Sequence, residues 1–329
     1  MDLIAAAGLG LALTVTPVPL PGGGAGVGFD DLGFSSRLGR VLVPAGRSGA
    51  LDLIDPATRK IESIGGFSAA DSFTGGHGEG VTSVDEGRGL LFAVDRTARQ
   101  LVVVDPGSRK VLAKAPLAGG PDYVRFVEPT GEVWVTEPED ERIEVFTLPA
   151  GSAGAPVHAA FIAVKGGPES LVIDAARGRA YSNFWKSTTV AIDLRKRTVV
   201  ENWPNGCEGS RGLALDSKRG FLFIGCAEGK AVTLGLERGG AVLGSISSGS
   251  GVDIISFNPA LSHLYLPGGK SATAAILGVS AAGALTLLDT VKTAAGAHCV
   301  VTDDRGQAWI CDPSHGQLLL VQDSLPSVR

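Results

Sequence analysis

Seven times along this chain a short apolar run opens, turns back through a polar hairpin, and is followed by a third and a fourth run before the pattern restarts. No other feature limits the fold as strongly, because a recurring supersecondary unit must bury its faces against its own copies. The opening runs are DDLGF from Asp30, GVTSV from Gly80, DYVRF from Asp122, ESLVI from Glu169, RGLAL from Arg211, DIISF from Asp253 and HCVVT from His298. Their starts lie 50, 42, 47, 42, 42 and 45 residues apart. The second runs are RVLVPAG, LLFAVDR, EVWVTEP, RAYSNFW, FLFIGCA, HLYLPGG and QAWICDP. Third runs such as ALDLID, QLVVVD and TTVAID end in a turn opened by Asp55, Asp105 or Asp193. A more variable fourth run closes each unit.

Four short strands per unit and seven units predict an all-β chain, a seven-bladed β-propeller with four antiparallel strands per blade. One four-stranded blade cannot bury both of its faces; radial packing buries both and leaves only short edges. Ring closure is also legible. The seventh unit runs out after three strands, whereas LTVTPVPLPGG before the first unit resembles the fourth strands KVLAKAPLAGG and KIESIGG. The spacing therefore predicts that Leu13 to Gly23 completes the last blade. The 47 glycines and 18 prolines are spread along the chain rather than gathered into a linker. A single domain over 13–329 is expected.

Segments LDLIDPATRKIESI, LVVVDPGSRKVLAKAPLAGGPDYVRF and RGLALDSKRGFLFIGC carry a resemblance to the YVTN/YncE-like family of bacterial β-propellers. Opening strand, Arg-Gly turn and Asp-Pro-type turn fall where that repeat puts them, over essentially the whole chain. The literal Tyr-Val-Thr-Asn tetrapeptide is absent, with VWVTEP the nearest run. The resemblance implies a secreted or periplasmic propeller and leaves function open, because fold does not imply function. An apolar run from Leu3 to Leu13 has the length of a signal-peptide core, although Asp2 stands where a basic residue is usual. Residues 1–12 are read as a signal-peptide remnant and the protein as periplasmic or extracellular. No later stretch is long and apolar enough for a transmembrane span. A formal net charge of −5 leaves no basic face for nucleic acid. The expected state is a monomer whose partner is a small molecule or a protein.

The opening residues of the seven units align at one end of the channel. Asp30, Asp122, Glu169 and Asp253 fall in register with Arg211 and His298, and Glu79 lies beside the column at Gly80. Converging carboxylates raise one another's pKa or recruit a cation, and a hard divalent cation such as Ca²⁺ takes several such oxygens. The structural alternative is that each acid ties neighbouring blades together or neutralises Arg211. Loops after the second strands add Asp95, Arg96, Glu137, Asn183, Trp185, Lys186, Asp312 and His315 to this face. Trp185 is either a ligand platform or a cover for the next blade. His77, in the loop GGHGEG, is a candidate base near Glu79 or a surface histidine; His158 and His263 have no evident partner.

Four cysteines fall in two pairs. The expectation is pairing within each blade, Cys207 with Cys226 and Cys299 with Cys311, among the three pairings that four cysteines allow. The rival for the second pair is a Zn²⁺ or copper site made by His298, Cys299, Cys311 and His315. Alternation along a strand opposes that site, because His298 and Cys299 would point to opposite faces. No nucleophile elbow, dinucleotide fingerprint or haem-attachment motif is present, so no catalytic residue is assigned. Three functions follow. They are a binding scaffold acting through the channel mouth, a metal-dependent hydrolase resembling propeller lactonases, and a metal-binding or redox-associated propeller.

Overall fold

The computed structural model describes residues 13–149 and 154–328. The proposed signal remnant, 1–12, lies outside the described residues. Seven antiparallel sheets of four strands each are arranged as the repeat predicts. Blade 1 is Gly33–Ser35, Arg40–Pro44, Ser48–Ile54 and Ile61–Ala69. The inner strands of blades 2 to 7 are Val81–Gly87, Val124–Val127, Val172–Asp174, Ser210–Asp216, Ser256–Asn258 and Val300–Thr302. In blades 1 to 6 the chain runs outward strand by strand without crossing.

Blade 7 closes the ring as expected. Its inner strand is followed by Gln307–Asp312 and Gln317–Gln322, and its outer strand is the N-terminal segment Thr14–Pro19. Thr14 pairs with Gln322 and Pro19 with Gln317. Val18 and Leu20 are buried there, in one cluster with Cys311, Leu318 and Leu320. Proline is tolerated at 17 and 19 because this is an edge strand, where a missing N–H breaks no second ladder.

The turns show why the Asp-led sequences recur. Asp55 Oδ1 accepts the N–H groups of Ala57 and Thr58 at 2.8 and 3.0 Å. Asp105 takes those of Gly107 and the Ser108 hydroxyl, and Asp193 those of Arg195 and Lys196. Each turn ends on an arginine in the left-handed region: Arg59 at φ 62°, Arg109 at 58° and Arg197 at 55°. Away from glycine that conformation is uncommon, and the Asp side chain makes it affordable by satisfying the turn's amides.

Apolar faces of successive blades pack on one another. Leu42, Leu51 and Leu53 of blade 1 meet Val84, Leu91 and Val102 of blade 2, for example. The buried Trp134 and Trp309 donate their indole N–H groups to Glu132 at 2.9 Å and Asp303 at 3.0 Å, so neither leaves an unsatisfied donor. His263 does have a partner. Its Nδ1 meets Asp323 at 2.7 Å and its Nε2 the Pro326 carbonyl at 3.1 Å, and Tyr265 donates to the same carboxylate. This group pins the C-terminal tail to blade 6. His158 pairs with Glu144 at 2.8 Å on the outer side of blade 3.

Cys207 and Cys226 form a disulfide, with Cα atoms 5.5 Å apart. Cys299 and Cys311 are buried and unbonded, which corrects the second expected bridge. There the Cys311 sulfur receives backbone N–H groups instead of a second sulfur.

Candidate functional site

The aligned residues gather at one mouth of the channel, but mostly not as strand residues. Asp30, Asp122, Glu169, Asp253 and His298 precede the first paired residue of their inner strands, and only Arg211 lies within one. Alternation therefore does not govern their side chains. Their height is set by bonds between neighbouring blades. Asp31 N donates to Thr82 O, Gly212 N to Asp253 O and Ile254 N to His298 O, all at 3.0 Å. These lateral bonds form a collar, and the side chains at its rim turn inward.

A cavity of about 540 Å³ occupies this mouth. Asp30, Asp122, Glu169, Asp253, Arg211 and Trp185 all line it, joined by His77, Arg96, Arg99 and Tyr123. His298 lines an adjoining hollow that shares His77 and Asp253. Glu79 lines neither cavity. Trp185 lines the cavity with about half of its surface exposed. Tyr123 and Asp122 are neighbours in the sequence, but nothing in the repeat marked Tyr123. It also lines a smaller void of about 220 Å³ deeper in the channel, where Arg125 and Asp31 pair at 2.5 Å.

The four acids divide into two kinds. Arg96 bridges Asp30 and Asp122, and Asp30 also meets His77 Nδ1 at 3.0 Å. Both of these acids are buried. Glu169 has a looser partner, Arg211 Nε at 3.7 Å. The Asp253 carboxylate has no hydrogen-bonded or ion-paired partner among the described residues. Three of the four acids thus have the kind of partner the structural alternative requires, Glu169 through Arg211 itself, and Asp253 does not.

Electrostatics follow this division. Burial pushes the Asp30 carboxyl up, but His77 and Arg96 outweigh it and hold the group below the usual carboxylate range. Asp122 is pushed up to about 8, by burial first and then by Asp30. Glu169 rises to about 10 through burial, with Asp122 and Asp253 adding repulsion. Burial also raises Asp253. At neutral pH this mouth has more carboxylates than it can keep ionised.

A stability test follows for Glu169, which is 13% exposed. Its folded pKa lies above its unfolded value, so the folded state holds an extra proton between about pH 4.5 and pH 10. Wild-type stability therefore falls as pH rises through that window. Glu169→Gln removes the titration. It is expected to be more stable than wild type by about 1 kcal/mol or more at pH 8, and by less at pH 5. Thermal melts at both pH values check this; a constant difference would show that Glu169 titrates normally.

The remaining loop residues bond to neighbouring loops and strands. Asp95 accepts the amides of Ser68 and Ala98, Glu137 the amide of Gly119 and the Arg142 guanidinium. Asn183 donates to Arg211 O at 2.7 Å. Lys186 offers its carbonyl to Ser210. Exposed His315 pairs with Asp312 at 2.9 Å and is not among the donor atoms gathered around His298, Cys299 and Cys311.

Donor atoms lie within 4.8 Å of one another in three groups among the described residues: His298–Cys299–Cys311, His77–Asp253–His298 and Cys207–Cys226–Glu228. His298 and Cys299 can face a common point because the strand begins only at Val300, so the expectation from alternation does not hold. None of the groups includes Asp30, Asp122 or Glu169. An ion such as Ca²⁺, whose ligands sit at about 2.3–2.6 Å, would therefore not gather the four carboxylates as they stand.

No family model matches the chain, and no curated protein matches it by sequence. Solved structures do. A chain of Kuenenia stuttgartiensis hydrazine synthase superposes with a TM-score of 0.72 at 12% identity, covering 91% of this chain and 96% of that one. A chain of the mitotic checkpoint complex gives 0.74 at 13% identity over 98% and 96%. The Cps50 (Swd1) β-propeller domain of Myceliophteria thermophila gives 0.75 at 11% identity over 95% and 100%. Likeness at this identity shows the propeller fold and nothing finer. No helix among the described residues is long and apolar enough to cross a membrane.

Proposed function

We propose that this chain is a YVTN/YncE-like propeller of an oxidising compartment, periplasmic or extracellular, which binds a small organic cation at its channel mouth. The observation that carries the reading is the open cavity of about 540 Å³, with Asp253 unpartnered and Glu169 loosely paired on its wall. Tyr123 and the exposed Trp185 line the same space, and aromatic faces attract cations. The cavity is wide for a bare metal ion, and the spread of the carboxylates suits a ligand that carries its charge on a larger frame. The disulfide supports the compartment, and the repeat supports the family. Among the described residues, the lactonase-like reading finds no three carboxylates gathered closely enough to hold its metal.

Calorimetric titration with a primary amine, a diamine and a quaternary ammonium ion, beside Ca²⁺, tests this. Because burial and the neighbouring acids raise the loosely paired Glu169 carboxyl to about 10, binding of a cation at pH 7 is expected to release a proton and to tighten as pH rises. Asp253→Asn is expected to weaken binding about tenfold or more, the size of one lost charge pair. Binding of Ca²⁺ alone would replace the organic cation with a hard ion. No binding by any of these, or equal binding in wild type and Asp253→Asn, would overturn the reading.

A further inference from the structure

We infer that Cys311 is stored as a thiolate in blade 7 and that, with Cys299, it forms a redox-active dithiol that a small peroxide oxidises to a disulfide. The inference does not rest on the channel-mouth ligand.

The first observation is the state of His298. Its Nδ1 lies 2.6 Å from the Gly296 carbonyl and its Nε2 3.0 Å from the Phe29 carbonyl. A carbonyl oxygen only accepts, so both ring nitrogens must carry protons, which makes the ring an imidazolium. That cation sits with Nδ1 3.8 Å from Cys311 Sγ. The second observation is the sulfur's own surroundings. Cys311 Sγ receives the backbone N–H groups of His298 at 3.3 Å and of Cys299 at 3.1 Å. A thiol hydrogen needs an acceptor; here the sulfur is met by donors and by a positive charge. Adjacent cations lower a thiol's pKa.

The third observation is the neighbour. Cys311 N donates to Cys299 O at 3.0 Å, which places Cys311, on the second strand of blade 7, opposite the start of its inner strand. Their sulfurs lie within 4.8 Å. The titrating groups facing His298 are Cys311, Asp253, His77 and Asp30, and those facing Cys311 are Cys299 and His298. Burial works against both charges, yet the pair outweighs it. Cys311 is lowered by Cys299 and His298, and His298 is raised by Cys311. Cys299 is raised, by burial first and then by Cys311. Cys311, whose sulfur receives both N–H groups and faces the ring of His298, is the nucleophile, and Cys299 keeps its proton.

A stabilised thiolate favours the reduced form of a couple. This accounts for a free dithiol in the same chain as the Cys207–Cys226 disulfide. In the reaction, the Cys311 thiolate attacks hydrogen peroxide. The O–O bond breaks, one proton is taken up, water leaves, and a sulfenic acid remains. The Cys299 sulfur then attacks the sulfenic sulfur, the S–O bond breaks, and its thiol proton leaves with hydroxide as a second water. The two cysteines lose two electrons and peroxide gains them. Both sulfurs are buried, but His298 lines a hollow of about 350 Å³ with Gly296, Pro313, His77 and Asp253. The reactive sulfur is thus one side chain from solvent. Oxidation removes the counter-charge of His298 and so alters the charge on the wall that Asp253 and His77 share.

Thiolate absorbance in the ultraviolet, followed against pH in the full chain, is expected to show one thiolate per molecule already at about pH 6, well below a free cysteine. His298→Gln should lose it. Peroxide should then remove about 2 Da from wild type and join the peptides holding Cys299 and Cys311. In Cys299→Ser it should stop at a sulfenic acid of about +16 Da, trapped by dimedone; that variant keeps the thiolate if His298→Gln fails to fold. Absence of a thiolate below about pH 8, or two intact thiols after peroxide, would overturn the inference. So would zinc or copper bound one per chain at these residues. None of these readouts involves a cationic ligand, so failure at the mouth and failure here are read separately.

Discussion

Deleting residues 1–23 is expected to lower the melting temperature by about 10–20 °C, or to abolish folding, while a deletion ending at residue 12 leaves it nearly unchanged. The outer strand of blade 7 pairs along six residues with Gln317–Gln322. Its loss exposes that strand's edge and strips Val18 and Leu20 from their cluster. Two buried apolar side chains are worth about 3–6 kcal/mol, and each lost ladder bond about 0.5–1.5 kcal/mol. Against a total stability of about 5–15 kcal/mol, that is a large fraction. A domain of this size shifts by about 2–4 °C per kcal/mol. Leu20 N also donates to Gly316 O, and the Gly22 carbonyl accepts from the Arg47 side chain at 3.5 Å, so the segment braces blade 1 as well as blade 7. Equal melts for the two deletions would show that the ring does not depend on this strand.

The second large effect belongs to Cys207 and Cys226. Replacing both with serine is expected to cost about 3 kcal/mol, the loop-closure contribution for two residues 19 apart. Reductant added to the wild type should lower its melt by about the same amount. Cys299 and Cys311 are unbonded, so reductant acts on one bond only. The bond lies in the cluster of Tyr181, Trp203, Leu222 and Ile224, between the start of blade 5's inner strand and the end of its second. A melt that neither reductant nor the double substitution moves by more than about 2 °C would show that packing alone holds this corner.

The architecture was readable because its causes are local. The Asp55, Asp105 and Asp193 turns and the alternating apolar strands act over a few residues, and repetition averages away the irregular blades. The closing strand was readable for the same reason: Leu13 to Gly23 resembles the outer strands it replaces. The site was readable only as a register. Aligned starts placed Asp30, Asp122, Glu169, Arg211 and Asp253 at one height, and rotational symmetry brought them to one cavity. The same alignment carried Glu79 along, but that residue sits outside both cavities at the mouth.

Cys299 and Cys311 show where local reasoning stopped. Spacing put them together, and they are together, yet it could not show what surrounds the sulfur. The placement of the His298 ring beside Cys311 depends on Phe29 O, a carbonyl 269 residues away in the sequence. Likewise, His77 read as a surface histidine until the fold brought Asp30 to it, 47 residues distant.

Seven blades, their hairpins, the N-terminal closing strand and the Cys207–Cys226 proximity were determined by the sequence itself, because hydrophobic period and turn chemistry are set by neighbours along the chain. Which acids are neutralised and which stay free was decided only in the tertiary structure. Arg96 reaches Asp30 and Asp122 at once, 66 and 26 residues away, and leaves Asp253 unpartnered beside Glu169. Ionisation depends on burial and on distances to every nearby charge. Those distances exist only after the collar of interblade bonds has brought seven separate loops to one rim.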